Sequence, residues 1–484
     1  MKPNRFFSFS FVILLFALVA GCGKTEVGGI VNPPPGSSTV SITMTDTPPA
    51  GVTVISFEVT IAGATLNPTG GGTPVNLLPG GNPIKIEVKQ LETEAAFFST
   101  MSVPAGSYSG FTFNFSNAEL TIKNDTGSTI SFAGVTCLNG QTCEFKPGAP
   151  ASFTYTGSPF PVTLSSGTST GFLVDVNLSS IITDPLGVNF AAAGALTVVQ
   201  LPLPGQPTGQ LEEIEDVCGI VFSKDPANNQ FVLRTSTGDL TIKVDNNTRF
   251  EGFNEATPPL ANSFASVAVN QILEADLKLI AGGMLLAEKV EMEDSNINEE
   301  EIEAIISRVI DATHFEIVPV EICPPVTGLE VGDVLTVTLQ IGASFRVDED
   351  GLNVPTNLRA AFENAVDTSQ LTPGQQIHVR RRSDSTSMNI NTDRVRLRRS
   401  RFTGTVASLV LPDNFNVNTL PAIFGPTPAT EIEVQTDGQT DFDNVPGDAV
   451  SGLAANNTVS LRGLLFKRTS PPKSLLIAKK VRRR

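Results

Sequence analysis

Side chains that could carry chemistry are scarce in this chain, and their spacing fits few reaction schemes. Two histidines are present among 484 residues, His314 and His378. They share no metal-ligand spacing, and no His-Glu-x-x-His run occurs. Both read as partly exposed strand residues, so a Ser-His-Asp triad is not expected. No Gly-x-x-x-x-Gly-Lys loop is present to cradle a phosphate. Carboxylates are plentiful, 49 in all. Paired acids for glycoside hydrolysis need no fixed spacing, but they need a sizeable cleft, and the units below are small. Two acidic loops have the oxygen-rich character that suits calcium: Asp348 to Gly351, and the run Asp437, Asp441, Asp443, Asp448. Neither has EF-hand spacing, so solvated turns are the favoured reading. No catalytic residue, metal or cofactor is expected.

Five cysteines remain. Cys22 stands at the end of a short apolar stretch, Phe6 to Ala20, behind Lys2 and Arg5. That layout is a secretory signal, and the stretch is shorter than a bilayer-spanning helix needs. The other four, in an oxidising compartment, allow three pairings. Cys137 and Cys143 flank Asn139-Gly140, a dipeptide suited to a tight hairpin turn, which would bring the two thiols within disulfide reach. Cys218 and Cys323 are left as a second pair, with two buried free thiols as the equal alternative.

Val19-Ala20-Gly21-Cys22 resembles the lipobox of bacterial lipoproteins. The resemblance implies cleavage before Cys22, acylation of its thiol, and a location in the cell envelope. Several acyl chains hold a protein on a membrane where one alone is marginal. Gly23 replaces the aspartate associated with inner-membrane retention, so an outer membrane is implied if the source has two. The membrane is then met through the lipid. The expected partner beyond it is an envelope ligand or protein whose identity the sequence does not give.

These groups must be positioned by β-structure. Length alone suggests about three domains of roughly 150 residues. The net charge is −16, or −18 once Lys2 and Arg5 are removed. So acidic a chain repels phosphate backbones, and no nucleic-acid partner is expected. Residues 1–22 read as the signal peptide and 23–38 as a Pro/Gly-rich tether. Residues 39–204 hold short alternating strands punctuated by glycine and proline, the pattern of a sandwich or barrel. Phe111, Phe113 and Phe115 alternate onto one face. One weak helix is predicted near Gln90 to Ser99. Three places here resemble the bacterial lipoprotein domain of unknown function 4382: Thr45-Asp46-Thr47-Pro48, Leu91 to Phe98 with Val103-Pro-Ala-Gly-Ser-Tyr108, and Phe172 to Leu178. The resemblance implies an immunoglobulin- or transthyretin-like β-sandwich. Asp46 within it is read as an Asx-type turn before Pro48, ahead of a ligand contact.

After an acidic linker, Gly209 to Val217, a pattern recurs three times, over 205–298, 299–400 and 401–484. Each copy opens with a hairpin, as in Cys218 to Thr235. Each has a central strand ending in phenylalanine (Phe250, Phe345, Phe442), and each closes with two more strands. Copy two has the best helix between its third and fourth strands, with Asn357 as cap and Leu358, Ala361, Phe362, Ala365 and Val366 at helical spacing. The pattern resembles domain of unknown function 5666 and predicts three small OB-like five-stranded barrels. The fold class is therefore all-β. Such barrels often bind oligonucleotides or oligosaccharides, but tryptophan is absent and most phenylalanines read as core.

Residues 205–298 hold six basic and fifteen acidic side chains, whereas 401–484 hold ten basic and seven acidic. The basic clusters are Arg380 to Arg382, Arg394 to Arg401 and Lys479 to Arg484. They read as solvated strand faces, with an anionic polymer or lipid as the alternative partner. The expected function is a lipid-anchored, non-catalytic envelope module for binding, adhesion or scaffolding. An enzyme using dispersed carboxylates is the remote alternative.

Overall fold

The computed structural model describes residues 36–484, apart from short internal stretches at 48–52, 79–80, 82, 93–95, 149–150, 184, 203–212, 236–237, 257, 281–283, 295–299, 324–325, 350, 426–429 and 469–472. The signal segment, Cys22 and most of the expected tether lie outside the described residues. No helix among the described residues is long and apolar enough to cross a membrane.

Alternation along the first strands builds a two-sheet sandwich. In Ser37–Thr47, Val40, Ile42 and Met44 are buried at every second position. This strand runs parallel to Ser169–Asn177 and antiparallel to Ala96–Pro104, and Leu196–Pro202 completes the sheet. The opposing sheet centres on the long pair Thr53–Pro68 and Gly106–Lys123. Phe111, Phe113 and Phe115 all point into the core, as their alternation predicts. Phe111 meets Phe172 of the other sheet edge-on, with centroids 5.1 Å apart, and Phe115 stacks on Phe190 at 4.3 Å. Gly110 is required where the strand Ala151–Tyr155 passes: a Cβ there would lie 2.1 Å from the Tyr155 carbonyl oxygen. Tyr108 donates from its hydroxyl to the Pro104 carbonyl at 2.6 Å and so ties the turn between two strands. The helix predicted near Gln90 is not formed. A 3-10 turn covers Val88–Glu92, and Ala96–Pro104 is a strand. Its β-branched and aromatic residues suit an extended backbone, and Ser37–Thr47 offers the ladder.

Three closed five-stranded barrels follow. In barrel 1, Glu213–Asp225 pairs with Gln230–Thr235, which pairs with Gly238–Lys243. Ile272–Ile280 pairs with both Glu213–Asp225 and Met284–Asp294, and parallel pairing of Ile242 with Leu285 closes the ring. The cyclic order, 1-2-3-5-4-1, is that of an OB-type barrel. The expected acidic linker is shorter than its sequence suggests, because the backbone of Glu213 to Val217 already belongs to the first strand.

Barrel 2 repeats the order with Glu300–Val309, His314–Cys323, Leu335–Val347, Gln376–Arg381 and the start of Asn389–Val410. Its helix, Thr356–Glu363, inserts Leu358 and Phe362 into the core, whereas Ala361 and Val366 face solvent. Pro355 takes the cap position and Asn357 falls inside the first turn. Barrel 3 uses the end of Asn389–Val410, then Asn414–Asn418, Ile432–Gln435, Thr458–Phe466 and Leu475–Arg483. The repeat register is kept: Phe250, Phe345 and Phe442 lie opposite Val290, Val395 and Val481 of the respective last strands.

Barrels 2 and 3 are continuous. The 22-residue strand Asn389–Val410 ends one barrel and begins the next, so the expected junction at 400/401 falls mid-strand. Leu464, Phe466, Leu475 and Ile477 of barrel 3 join the core of barrel 2. Ile55 of the sandwich, Val318 of barrel 2 and Ile423 of barrel 3 form a separate buried contact where three units meet.

Candidate functional site: the charged joints between the units

The titratable side chains converge where the units meet. Between the sandwich and barrel 2, the turn Glu330 to Asp333 lies on the outer face of Gly106–Lys123. The Thr121 hydroxyl donates to the Gly332 carbonyl at 2.6 Å. Lys146 places its ammonium 2.9–3.0 Å from Glu119, Glu144 and Glu330. Lys85 meets Glu58 at 2.5 Å. Glu87 keeps part of its chain at the surface but turns its carboxylate inward, accepting from the Ser56 hydroxyl, the Phe57 N–H and the Lys89 N–H. Desolvation pushes Glu87 up to about 7, against the pull of those donors. Burial also raises Glu58, Glu144 and Asp333, whereas Lys146 lowers Glu330. Six carboxylates thus face two ammonium groups.

Between barrels 1 and 2 the charges are more deeply buried. Both oxygens of Glu274 accept from the Arg398 guanidinium at 2.6 Å, with both side chains 2% exposed. Arg398 also pairs with Asp348. Lys289, fully buried, lies 2.9 Å from Glu291. Close by, His378 sits between Glu303, at 3.1 Å, and Glu301, at 3.5 Å. Burial and the Arg398 charge oppose its protonation, but its hydrogen bonds to Glu301 and Glu303 prevail and lift it to about 9. Glu301 is held well below the ordinary carboxylate range: burial opposes this, but His378, Arg396 and Arg394 outweigh it. His378 is therefore a buried cation. The partly exposed strand residue expected from sequence is found only at His314, whose Nδ1 lies 2.9 Å from Asp311.

The basic end of the chain folds back. Arg462 and Lys480 are buried, Lys479 approaches Asp441, Arg482 approaches Asp443, and the Arg484 guanidinium donates to the Glu92 carbonyl of the sandwich. Arg380 and Arg382 share Asp393, Arg381 takes Glu300, and Arg394 takes Glu301. Strand faces that read as solvated, or as waiting for an anion, are largely ion-paired within the chain.

The remaining candidates are accounted for locally. Cys137 is joined to Cys143, with Cα atoms 5.9 Å apart, and Cys218 to Cys323, at 6.2 Å. The first turn differs from the expected one. Only Gly140 has positive φ, at 80°, and the Gln141 N–H bonds the Leu138 carbonyl, so the third turn position carries the glycine as in a type II turn. Asp437 accepts from the Asn353 amide at 2.7 Å, and Glu349 pairs with Arg359. With Asp348 on Arg398, Asp441 near Lys479 and Asp443 near Arg482, these loop carboxylates are met by side chains of the chain itself; Asp448 is exposed, as a solvated turn predicts, and Asp350 lies outside the described residues. Among the described residues no group of three or more His, Cys, Asp or Glu converges on a metal position. The backbone of Asp46 pairs beside Val176, and Pro48 lies outside the described residues. Gly167-Thr-Ser169-Thr-Gly171 has the spacing of a nucleophile elbow, but Ser169 opens a strand instead of a strand-to-helix turn, and both histidines belong to barrel 2. One exposed phenylalanine departs from the core reading. Phe222 occupies a bulge on barrel 1 with the Arg234 guanidinium 3.8 Å above its ring.

Residues 219–291 match the family Domain of unknown function (DUF5666). The match falls within barrel 1, and barrels 2 and 3 share its strand order. Among curated proteins none matches this chain. Two solved structures resemble parts of it. A drosophila Unr structure is 8% identical, with 56% of this chain and 97% of that one covered, at a TM-score of 0.12. A multidomain protein with nucleic acid binding domains from streptococcus pneumoniae is 10% identical, covering 55% and 72%, at 0.10. At those scores neither bears on the fold or the function of this chain.

Proposed function

We propose that this chain is a lipid-anchored, non-catalytic protein of the cell envelope, acting as a scaffold or a binding and adhesion module. The pairing of all four cysteines beyond Cys22 in two disulfides carries this reading, because such bonds persist in oxidising compartments. The lipobox-like Val19 to Cys22 supports the anchor. An outer-membrane location follows from Gly23 if the source has two membranes. The sandwich is assigned to domain of unknown function 4382 on the motifs around Thr45, Val103 and Phe172. The joints favour a scaffold: charges and apolar side chains that a ligand-binding string would present outward are used to fix one unit against another. The same pairing weakens the alternative of an anionic-polymer binder at the C-terminal end. Mass spectrometry of the mature N-terminus tests the anchor. A diacyl- or triacyl-cysteine at position 22, with Cys22→Ala moving the protein from membrane to soluble fraction, is the expected result. An unmodified Cys22 in a membrane-free protein overturns it.

A further inference from the structure

The four units are not joined alike. The sandwich, barrel 2 and barrel 3 share buried apolar contacts and one continuous strand. Barrel 1 has a core of its own that includes no residue of another unit. Among the described residues, none of its elements packs along an element of a neighbour beyond isolated contacts. What joins it to barrel 2 is polar and covalent. Cys218 lies directly opposite Glu274 in the barrel 1 ladder, so the disulfide to Cys323 and the ion pair to Arg398 belong to one joint. Taking such charges out of water costs about as much as their attraction returns. A polar joint of that kind leaves motion between units as the default. The covalent bond therefore decides whether barrel 1 stays docked.

The two disulfides also differ in access. Cys137 is fully buried and its partner Cys143 is partly exposed, whereas Cys218 and Cys323 are both partly exposed. A thiol reagent can thus attack either sulfur of the inter-barrel bond, but the Cys137–Cys143 bond from the Cys143 side alone.

We propose that the Cys218–Cys323 disulfide is a reducible latch whose opening lets barrel 1 move as a separate folded body. The partner in the reaction is a dithiol. One of its thiolates attacks a disulfide sulfur and expels the other as thiolate. Its second thiol then resolves the mixed bond. The protein gains two electrons and two protons as two thiols, and the reductant leaves as its own disulfide.

Lys289 reports the state of the joint. It faces outward from barrel 1, opposite Asp276, yet it is fully buried, and its charge is felt by Asp348 of barrel 2. Amine acetylation of the full chain, read by mass spectrometry, compares it with Lys480, which is equally covered on the last strand of barrel 3. Dithiothreitol is used at a dose that leaves Cys137–Cys143 intact by alkylation mapping. Labelling of Lys289 should rise by on the order of tenfold as the released state becomes the main one, with Lys480 unchanged. Cys218→Ser with Cys323→Ser should give the same pattern without reductant. If Lys289 stays as protected as Lys480 after reduction, the polar joint holds by itself and the latch is wrong. If both lysines react in the reduced wild type, barrels unfold instead of separating, and the proposal also fails.

Discussion

Replacing Glu87 by glutamine should stabilise this protein at alkaline pH and leave it unchanged in acid. The carboxylate is turned inward and accepts from Ser56, Phe57 and Lys89, yet desolvation outweighs those donors and lifts it from 4.5 to about 7. Below pH 4.5 both the folded and unfolded states hold the proton. Between 4.5 and 7 the unfolded chain ionises first, so stability falls as the pH rises. Above 7 the loss is complete. At about 1.4 kcal/mol per pH unit, the gap corresponds to about 3 kcal/mol. Glutamine imitates the protonated acid: its oxygen still accepts from the two N–H groups, and the Ser56 hydroxyl can turn to accept from the amide. The variant should gain up to about 3 kcal/mol at pH 8 and nothing at pH 4. With no tryptophan, urea unfolding is best followed by far-UV circular dichroism. A difference between the two proteins that does not change with pH would refute the reasoning. So would a variant less stable at pH 8.

The same logic applies to His378. Its folded value of about 9 lies above the ordinary 6.5, so its stabilising contribution is full below pH 6.5 and lost as the pH rises through 9. The stability difference between wild type and His378→Asn should shrink over that window. At the barrel 1 joint, Glu274→Leu and Arg398→Met should each cost about 3 kcal/mol by leaving a buried charge behind, while the double variant should cost less than the two losses added together but stay below wild type, because Asp348 loses Arg398 as well. A double-mutant cycle by urea unfolding measures this, and additive losses would count against a paired charge. Phe113→Ala should cost about 3–5 kcal/mol in thermal or urea unfolding, because the side chain is fully buried. Phe222→Ala should stay within about 0.5 kcal/mol.

Periodicity made much of the architecture legible. Phe111, Phe113 and Phe115 could alternate only onto one buried face, and the recurrent Phe250, Phe345 and Phe442 marked equivalent ladder positions. Local preference misled where a ladder was available: the stretch after Gln90 pairs with Ser37–Thr47, which a neighbouring strand supplies and no propensity encodes. Asn139-Gly140 indicated a tight turn but not its type, which only the positions of the flanking strands fix. The charged joints were not legible. Arg398 and Glu274 lie 124 residues apart, and a strand-face arginine reads the same whether water or a carboxylate covers it.

The sequence by itself determined the all-β class, the three-fold recurrence, the cysteine set and the acidic-to-basic polarity along the chain. These follow from side-chain period, turn residues and charge, all local quantities. The tertiary structure decided the rest: that barrels 2 and 3 share a strand, that the basic end returns to the sandwich at Glu92, and that His378 is a buried cation. Those outcomes depend on which surfaces meet. Burial and charge pairing are properties of the meeting, and neither partner carries them alone.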